Sequence, residues 1–317
     1  MRRLMVTGAS GLLGANLVLE AMPAHEVIAL SFRHPIAAPG VLHRAVDLTD
    51  PEAVRAVVDE TQPAWIVHCA AATGVDACER DPHSAFRLNR DASQSLAHAA
   101  AACGASFLLV STDAVFDGQR GDYDESAAPN PLSVYGRSKR EGELAVLAAH
   151  PRAVVVRTNL YGWNALPKYS LAEWFLSRAE AGLDSPGWTD VTSTPILVND
   201  LARILLGLLA AGSRGIFHVG GATCLSKYEF GRRVLATFGH DPSRIVPASV
   251  DRAGLAAPRA HRLCLRGEKV EGELGVRLPS VDDGLSRFRG MRDSGVVDRL
   301  RALPTASGSV LEEDHKR

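Results

Sequence analysis

Thr7-Gly8-Ala9-Ser10-Gly11-Leu12-Leu13-Gly14 follows the apolar run Arg3 to Thr7 and precedes a helical pattern that ends near Pro23. Such a short apolar run is typical of a buried parallel strand. The glycines then make a turn between strand and helix, where the backbone can approach a pyrophosphate whose charge the N–H groups and positive helix end favour. Gly8, Ser10, Gly11, Leu12, Leu13 and Gly14 are therefore candidate cofactor contacts. The spacing is Gly-x-x-Gly-x-x-Gly, not the Gly-x-Gly-x-x-Gly of ordinary dinucleotide-binding dehydrogenases. A glycine triplet alone equally suits a tight turn with close helix packing.

More than a hundred residues downstream, Tyr135-Gly136-Arg137-Ser138-Lys139 lies in a run from Ser133 to about His150 that reads as a helix, with Leu144 and Leu147 continuing an apolar stripe. Residues four apart share a helix face, so Tyr135 and Lys139 point the same way. A free Tyr titrates near ~10, and a neighbouring cation lowers that value, so the pair makes an acid/base candidate. Between these stretches, Glu26 to Leu30 reads as a second strand. Many nicotinamide enzymes place an acidic residue at its end for the adenosine ribose. Here that place holds Ser31, followed by Phe32, Arg33 and His34. A carboxylate would repel a 2′-phosphate, whereas Ser31 with Arg33 suits one, so NADP(H) is favoured over NAD(H).

Thr7 to Gly14, Ala70-Ala71-Ala72-Thr73-Gly74-Val75-Asp76, Ser111-Thr112-Asp113-Ala114-Val115-Phe116-Asp117-Gly118 and Pro131 to Lys139 together resemble the extended short-chain dehydrogenase/reductase superfamily, and within it the dTDP-4-dehydrorhamnose reductase family. The likeness runs from residue 3 to about residue 290. It implies Thr112, Tyr135 and Lys139 as the catalytic set acting on a keto sugar. It places Asp47, with Leu48 beside it, at the adenine, and Ala70, Ala71 and Ala72 beside the nicotinamide ribose. Asn89 matches a buttressing residue and Asn159 a substrate contact, while Glu79 reads as surface. Asp113 has two readings, substrate contact or turn residue. The family usually follows this Asp with a Tyr; the Ala114 found here weakens transfer of rhamnose itself and is compatible with an amino sugar or another intermediate of secondary metabolism. Its pattern also argues against a sugar dehydratase, which has Glu there. Lys168 is a candidate for an anionic substrate group, and Arg259 and Arg262 are both open as phosphate contacts. Two rival functions remain: an epimerase that retains its cofactor, and a non-catalytic NADP-binding regulatory subunit like that of methionine adenosyltransferase, which also resembles this family.

The expected architecture is α/β: a Rossmann-type doubly wound parallel sheet with a smaller, discontinuous C-terminal substrate domain. Residues 1–162 and 190–221 would hold the NADP, 163–189 and 222–300 the substrate, and 305–317, short of large apolar residues, would form a disordered tail. With 317 residues, 46% of them hydrophobic, and a net charge of -1, the chain can bury a sizeable core. The even charge balance argues against a nucleic-acid partner. No run approaches the ~20 apolar residues of a membrane span, and the first twenty residues do not read as a leader, so a cytoplasmic protein is expected. A homodimer is left open. Cys69, Cys78, Cys103, Cys224 and Cys264 are odd in number and widely spaced, which reads as reduced, mostly buried thiols with no disulfide and no metal site. Ser226-Lys227-Tyr228-Glu229 has capping-box spacing.

Overall fold

The computed structural model describes residues 1–303; the expected tail at 305–317 lies outside the described residues. The first half alternates strand and helix: β1 (Arg2–Thr7), α1 (Leu12–Ala21), β2 (His25–Ser31), β3 (Val41–Ala45), α2 (Pro51–Thr61), β4 (Trp65–His68), α3 (Val75–Arg80), α4 (Pro82–Phe86), α5 (Ala92–Cys103), β5 (Ser106–Val110), α6 (Val134–Ala149) and β6 (Val154–Arg157). After β7 (Leu160–Tyr161), α7 (Leu171–Glu180), β8 (Ser185–Trp188), β9 (Thr192–Ser193) and β10 (Ile196–Leu197), the chain returns through α8 (Val198–Ala211) to β11 (Gly215–His218). It then forms β12 (Leu225–Ser226), α9 (Lys227–Thr237), β13 (Ile245–Ala248), α10 (Glu268–Leu274), α11 (Val281–Asp293) and α12 (Val296–Arg301).

Seven strands pair in the order β11-β6-β5-β4-β1-β2-β3, every pair parallel. This is the Rossmann-type α/β sheet expected from the alternation. Parallel strands covered on both faces bury both sets of side chains. Accordingly Leu4, Val6 and Val156 join one core cluster with residues of α1 and α8, while Met5, Ile66 and Val155 join another with residues of α2, α5 and α6. The first cluster continues without a break into α7, α9 and α11. The strand order reverses between β1 and β4, which is where a doubly wound sheet opens a crevice at the carboxyl ends.

Caps fix the helices that matter here. Asp50 accepts from the N–H groups of Glu52 and Ala53 with Pro51 in the first turn, and Ser133 accepts from Gly136 N–H at the start of α6. Two local expectations fail. Leu144 is exposed, and α6 instead turns Ser138, Gly142, Glu143 and Val146 inward. Glu79 is no free surface residue: its carboxylate accepts from Val134 N–H (2.9 Å) and supports the start of α6.

The thiol expectation fails as well. Cys224 and Cys264 form a disulfide across 40 residues of sequence, while Cys69, Cys78 and Cys103 are free. The pairing follows from β9, which is flanked by antiparallel β12 on one side and by the segment around Arg262 on the other. Those contacts bring the two Cα atoms to 5.6 Å. No described helix is long and apolar enough to cross a membrane.

Candidate active site

A cleft of about 1100 Å³ runs along the carboxyl ends of the central strands. One end is built by the turn after β1. Gly8 has φ +62°, and an added Cβ would stand 2.8 Å from the backbone of Ala70; a side chain there would push apart β1 and β4 just where they must stay close. At Gly14 a Cβ would run into the Gly8 carbonyl oxygen. Gly11 leads into α1 with no side-chain cap, so the first-turn N–H groups are not taken up by a capping side chain at the end that carries partial positive charge. This uncapped cradle fits a pyrophosphate. Ser10, Leu12 and Leu13 complete it, and Leu30, Ser31, Asp47 and Leu48 line the continuation toward the sheet edge.

The Ser31 hydroxyl is 2.8 Å from His43 Nε2. Asp47 accepts from the N–H and hydroxyl of Thr49, bonds that hold its carboxyl below the usual range. Two expected cofactor contacts are absent from the cleft wall. Arg33 is exposed, with its guanidinium over the Phe32 ring, and Ala72 is turned aside because Asn89 uses both its N–H (2.8 Å) and its carbonyl (3.1 Å). Ala70 and Ala71 do line the cleft. Asn89 sits in a single π turn, Arg87–Asp91, and also donates to the Ser138 hydroxyl (2.9 Å). It thereby ties the loop after β4 to the helix that carries Tyr135 and Lys139.

At the middle of the cleft, Thr112, Tyr135 and Lys139 come together as expected. Thr112 accepts from Ala114 N–H (3.1 Å) and donates to Asp113 Oδ1 (3.1 Å), so it caps a short turn and faces the cleft at once. Burial pushes the Tyr135 phenol up to about 12, the nearby Thr112 hydroxyl opposing and the Asp113 carboxylate adding to the rise. Lys139 was expected to lower that value. Instead its Nζ donates to the Val110 carbonyl at the end of β5 (2.7 Å), and burial brings the ammonium down to about 8, with Glu143 opposing. Glu143 is fully buried and held by Arg157 Nη2 (2.8 Å), itself 1% exposed, by Ser111 (2.6 Å) and by Arg140. A buried carboxylate persists only when paired in this way.

Asp113, 3% exposed, accepts from Asn159 Nδ2 (2.8 Å) through its other oxygen. Burial raises its carboxyl to about 6 against those hydrogen bonds and the nearby Lys227. Arg259 lines the cleft, bonded to Asp76 (2.7 Å) and to the Ala257 carbonyl, while Arg262 donates to the Gln119 carbonyl. Lys168 lines the cleft and is exposed. Among the aromatics, Trp163 is core and stacks on Phe288, whereas Trp188 reaches the cleft with the Lys227 ammonium 4.3 Å from its ring centre. The sequence reading missed Lys227 as a site residue. The available signal was a lysine in the first turn of a helix, where the dipole disfavours positive charge.

The RmlD substrate binding domain family matches residues 1–290. A probable low-salt glycan biosynthesis reductase, Agl14, of Haloferax volcanii is 36% identical over 89% of this chain and 95% of its own length. Methionine adenosyltransferase 2 subunit beta of Danio rerio is 35% identical over 88% of this chain and 87% of its own. The crystal structure of dTDP-4-dehydrorhamnose reductase from Bacillus anthracis in complex with NADP superposes with a TM-score of 0.82 at 28% identity, covering 91% of this chain and 98% of that one. With its parallel sheet, glycine turn and Tyr-x-x-x-Lys helix, the chain belongs to the RmlD substrate binding domain family of extended, NAD(P)-dependent short-chain dehydrogenases/reductases.

Proposed function

We propose that this chain reduces the carbonyl of a keto sugar, one carried on a nucleotide, with NADPH. The observation that carries the reading is the Tyr135 phenol beside Thr112, in one cleft with the uncapped turn at Gly8 to Gly14 and with Asp113 and Asn159. Residues 1–162 and 190–221 hold the dinucleotide, and residues 163–189 and 222–300 hold the substrate. When bound, the reduced nicotinamide supplies the hydride. The Thr112 O–H, which donates to Asp113 Oδ1 in the free protein, turns to the substrate oxygen, orienting and polarising the carbonyl. Tyr135 gives its proton to the oxygen that becomes the alcohol, and a phenol held near 12 is present in the protonated form this direction needs. Lys139, on the same helix as Tyr135, holds the ribose. Ser31, in place of an acidic residue, leaves room for the 2′-phosphate and supports NADPH over NADH, with the exposed Arg33 two residues further on. Ala114 leaves space beside Asp113, so the sugar ring need not be that of rhamnose.

Absorbance of NADPH, and separately NADH, followed with a panel of nucleotide-linked and free keto sugars tests the reading. Oxidation with one substrate is expected, and Tyr135→Phe should lower it by roughly 10²–10⁴-fold while dinucleotide binding persists. NADPH binding with no turnover on any substrate would instead favour a non-catalytic role, a reading that the likeness to methionine adenosyltransferase 2 subunit beta keeps in play.

A further inference from the structure

Lys227 opens α9, far along the chain from Asp113, yet both side chains line the same cleft. Its position is not explained by the helix. Ser226 and Glu229 already satisfy the start of α9 with a capping box, and a cation there opposes the dipole. Its ammonium is instead laid on the Trp188 ring, which occupies that face of the indole and fixes the direction of the lysine. The groups facing Asp113 are the Thr112 hydroxyl and the Asn159 amide, both donating, the Tyr135 phenol on α6 and the Lys227 ammonium on α9. Arg259 also faces Lys227, but its charge is already paired with Asp76.

We propose that Lys227 is a positioning residue that acts through Asp113, keeping its carboxylate ionised so that it accepts a hydrogen bond from a sugar hydroxyl next to the reacting carbonyl. Two donors from Thr112 and Asn159 leave each carboxylate oxygen a further lone pair, and an ionised acceptor makes the stronger bond. Burial raises Asp113 to about 6 and lowers Lys227 to about 8, Asp113 holding the lysine up and Arg259 pressing it down. Both are charged in the window between those values. Removing the lysine removes a cation that favours the carboxylate, so Asp113 protonates at higher pH and the acid limb of activity moves upward.

The hydroxyl contact rests on the reductase reading; the coupling of Lys227 to Asp113 does not. Carbon-13 titration of labelled aspartate carboxyls, with Asp113→Asn identifying the resonance, reads the coupling without turnover. In Lys227→Met the Asp113 midpoint should rise by about one pH unit, a tenfold change in the ionisation constant, and Lys227→Arg should restore it. On a substrate that the wild type reduces, Lys227→Met should lose about threefold in kcat/KM near pH ~6.5, approach about a tenfold loss near pH ~5 and lose almost nothing near pH ~8.5. In an Asp113→Asn background that pH-dependent loss should disappear. An unmoved Asp113 midpoint in Lys227→Met with an unchanged circular dichroism spectrum overturns the proposal. So does a loss of equal size at every pH. A wild type that turns over nothing defeats the reductase reading, and the titration still decides the coupling.

Discussion

Asp113 carries a stability cost in the free protein. Its carboxyl is raised from an ordinary 3.8 to about 6 by burial, so folding favours the protonated form. For an acid raised in this sense the cost is absent below the unfolded value, grows as pH climbs between the two, and is complete above the folded value. Two units correspond to about 3 kcal/mol at most. Asp113→Asn should therefore raise the melting temperature at pH ~8 by several degrees and by much less at pH ~4, as thermal melts at the two values would read. An equal gain at both would show that ionisation is not the cause. Helix spacing made Tyr135 legible beside Lys139, while Thr112, Asp113 and Asn159 were legible through the family resemblance of the stretches that follow β5 and β6. Lys227 was not legible, because its meaning depends on Trp188 and Asp113, which are remote in sequence and meet it only across the cleft.

Among elements, β1, the turn and α1 form a unit whose geometry is set by backbone atoms. Gly11 N–H bonds to the Gly8 carbonyl (2.9 Å), the same oxygen that a Cβ at residue 14 would strike. Gly14→Ala must displace that carbonyl or α1, an overpacking cost of about 1–3 kcal/mol. It should weaken NADPH binding by more than about tenfold in a fluorescence titration. Undiminished binding would place the pyrophosphate elsewhere. The α6 helix was legible from its Tyr-x-x-x-Lys register, yet its inward face was not. The periodic leucines suggested an apolar stripe, whereas the buried positions include Glu143, admissible there only because Arg157 on β6 and Arg140 neutralise it. Periodicity reports hydrophobicity and is blind to a charge that a distant strand compensates.

For the whole molecule, alternating strand and helix patterns were enough to place the parallel sheet, since each buried run is bounded by a turn or a cap. The Cys224–Cys264 bond was not readable, because 40 residues separate cysteines that carry no spacing motif and only the strands beside β9 bring them together. Thiol titration of the denatured protein should give three reactive groups before reduction and five after it, matching the five cysteines of the sequence. Five before reduction would remove the bond. By loop entropy its loss costs up to about 4 kcal/mol, which should appear as a lower melting temperature in reductant. Finally, β11 reaches its place beside β6 only after the chain has made the excursion through α7 to α8. During synthesis β6, with all four residues destined for burial, presents an open edge until β11 emerges about sixty residues later, an interval of roughly 3–12 s at ~5–20 residues per second. For that interval the nascent sheet is exposed to mispairing with another chain.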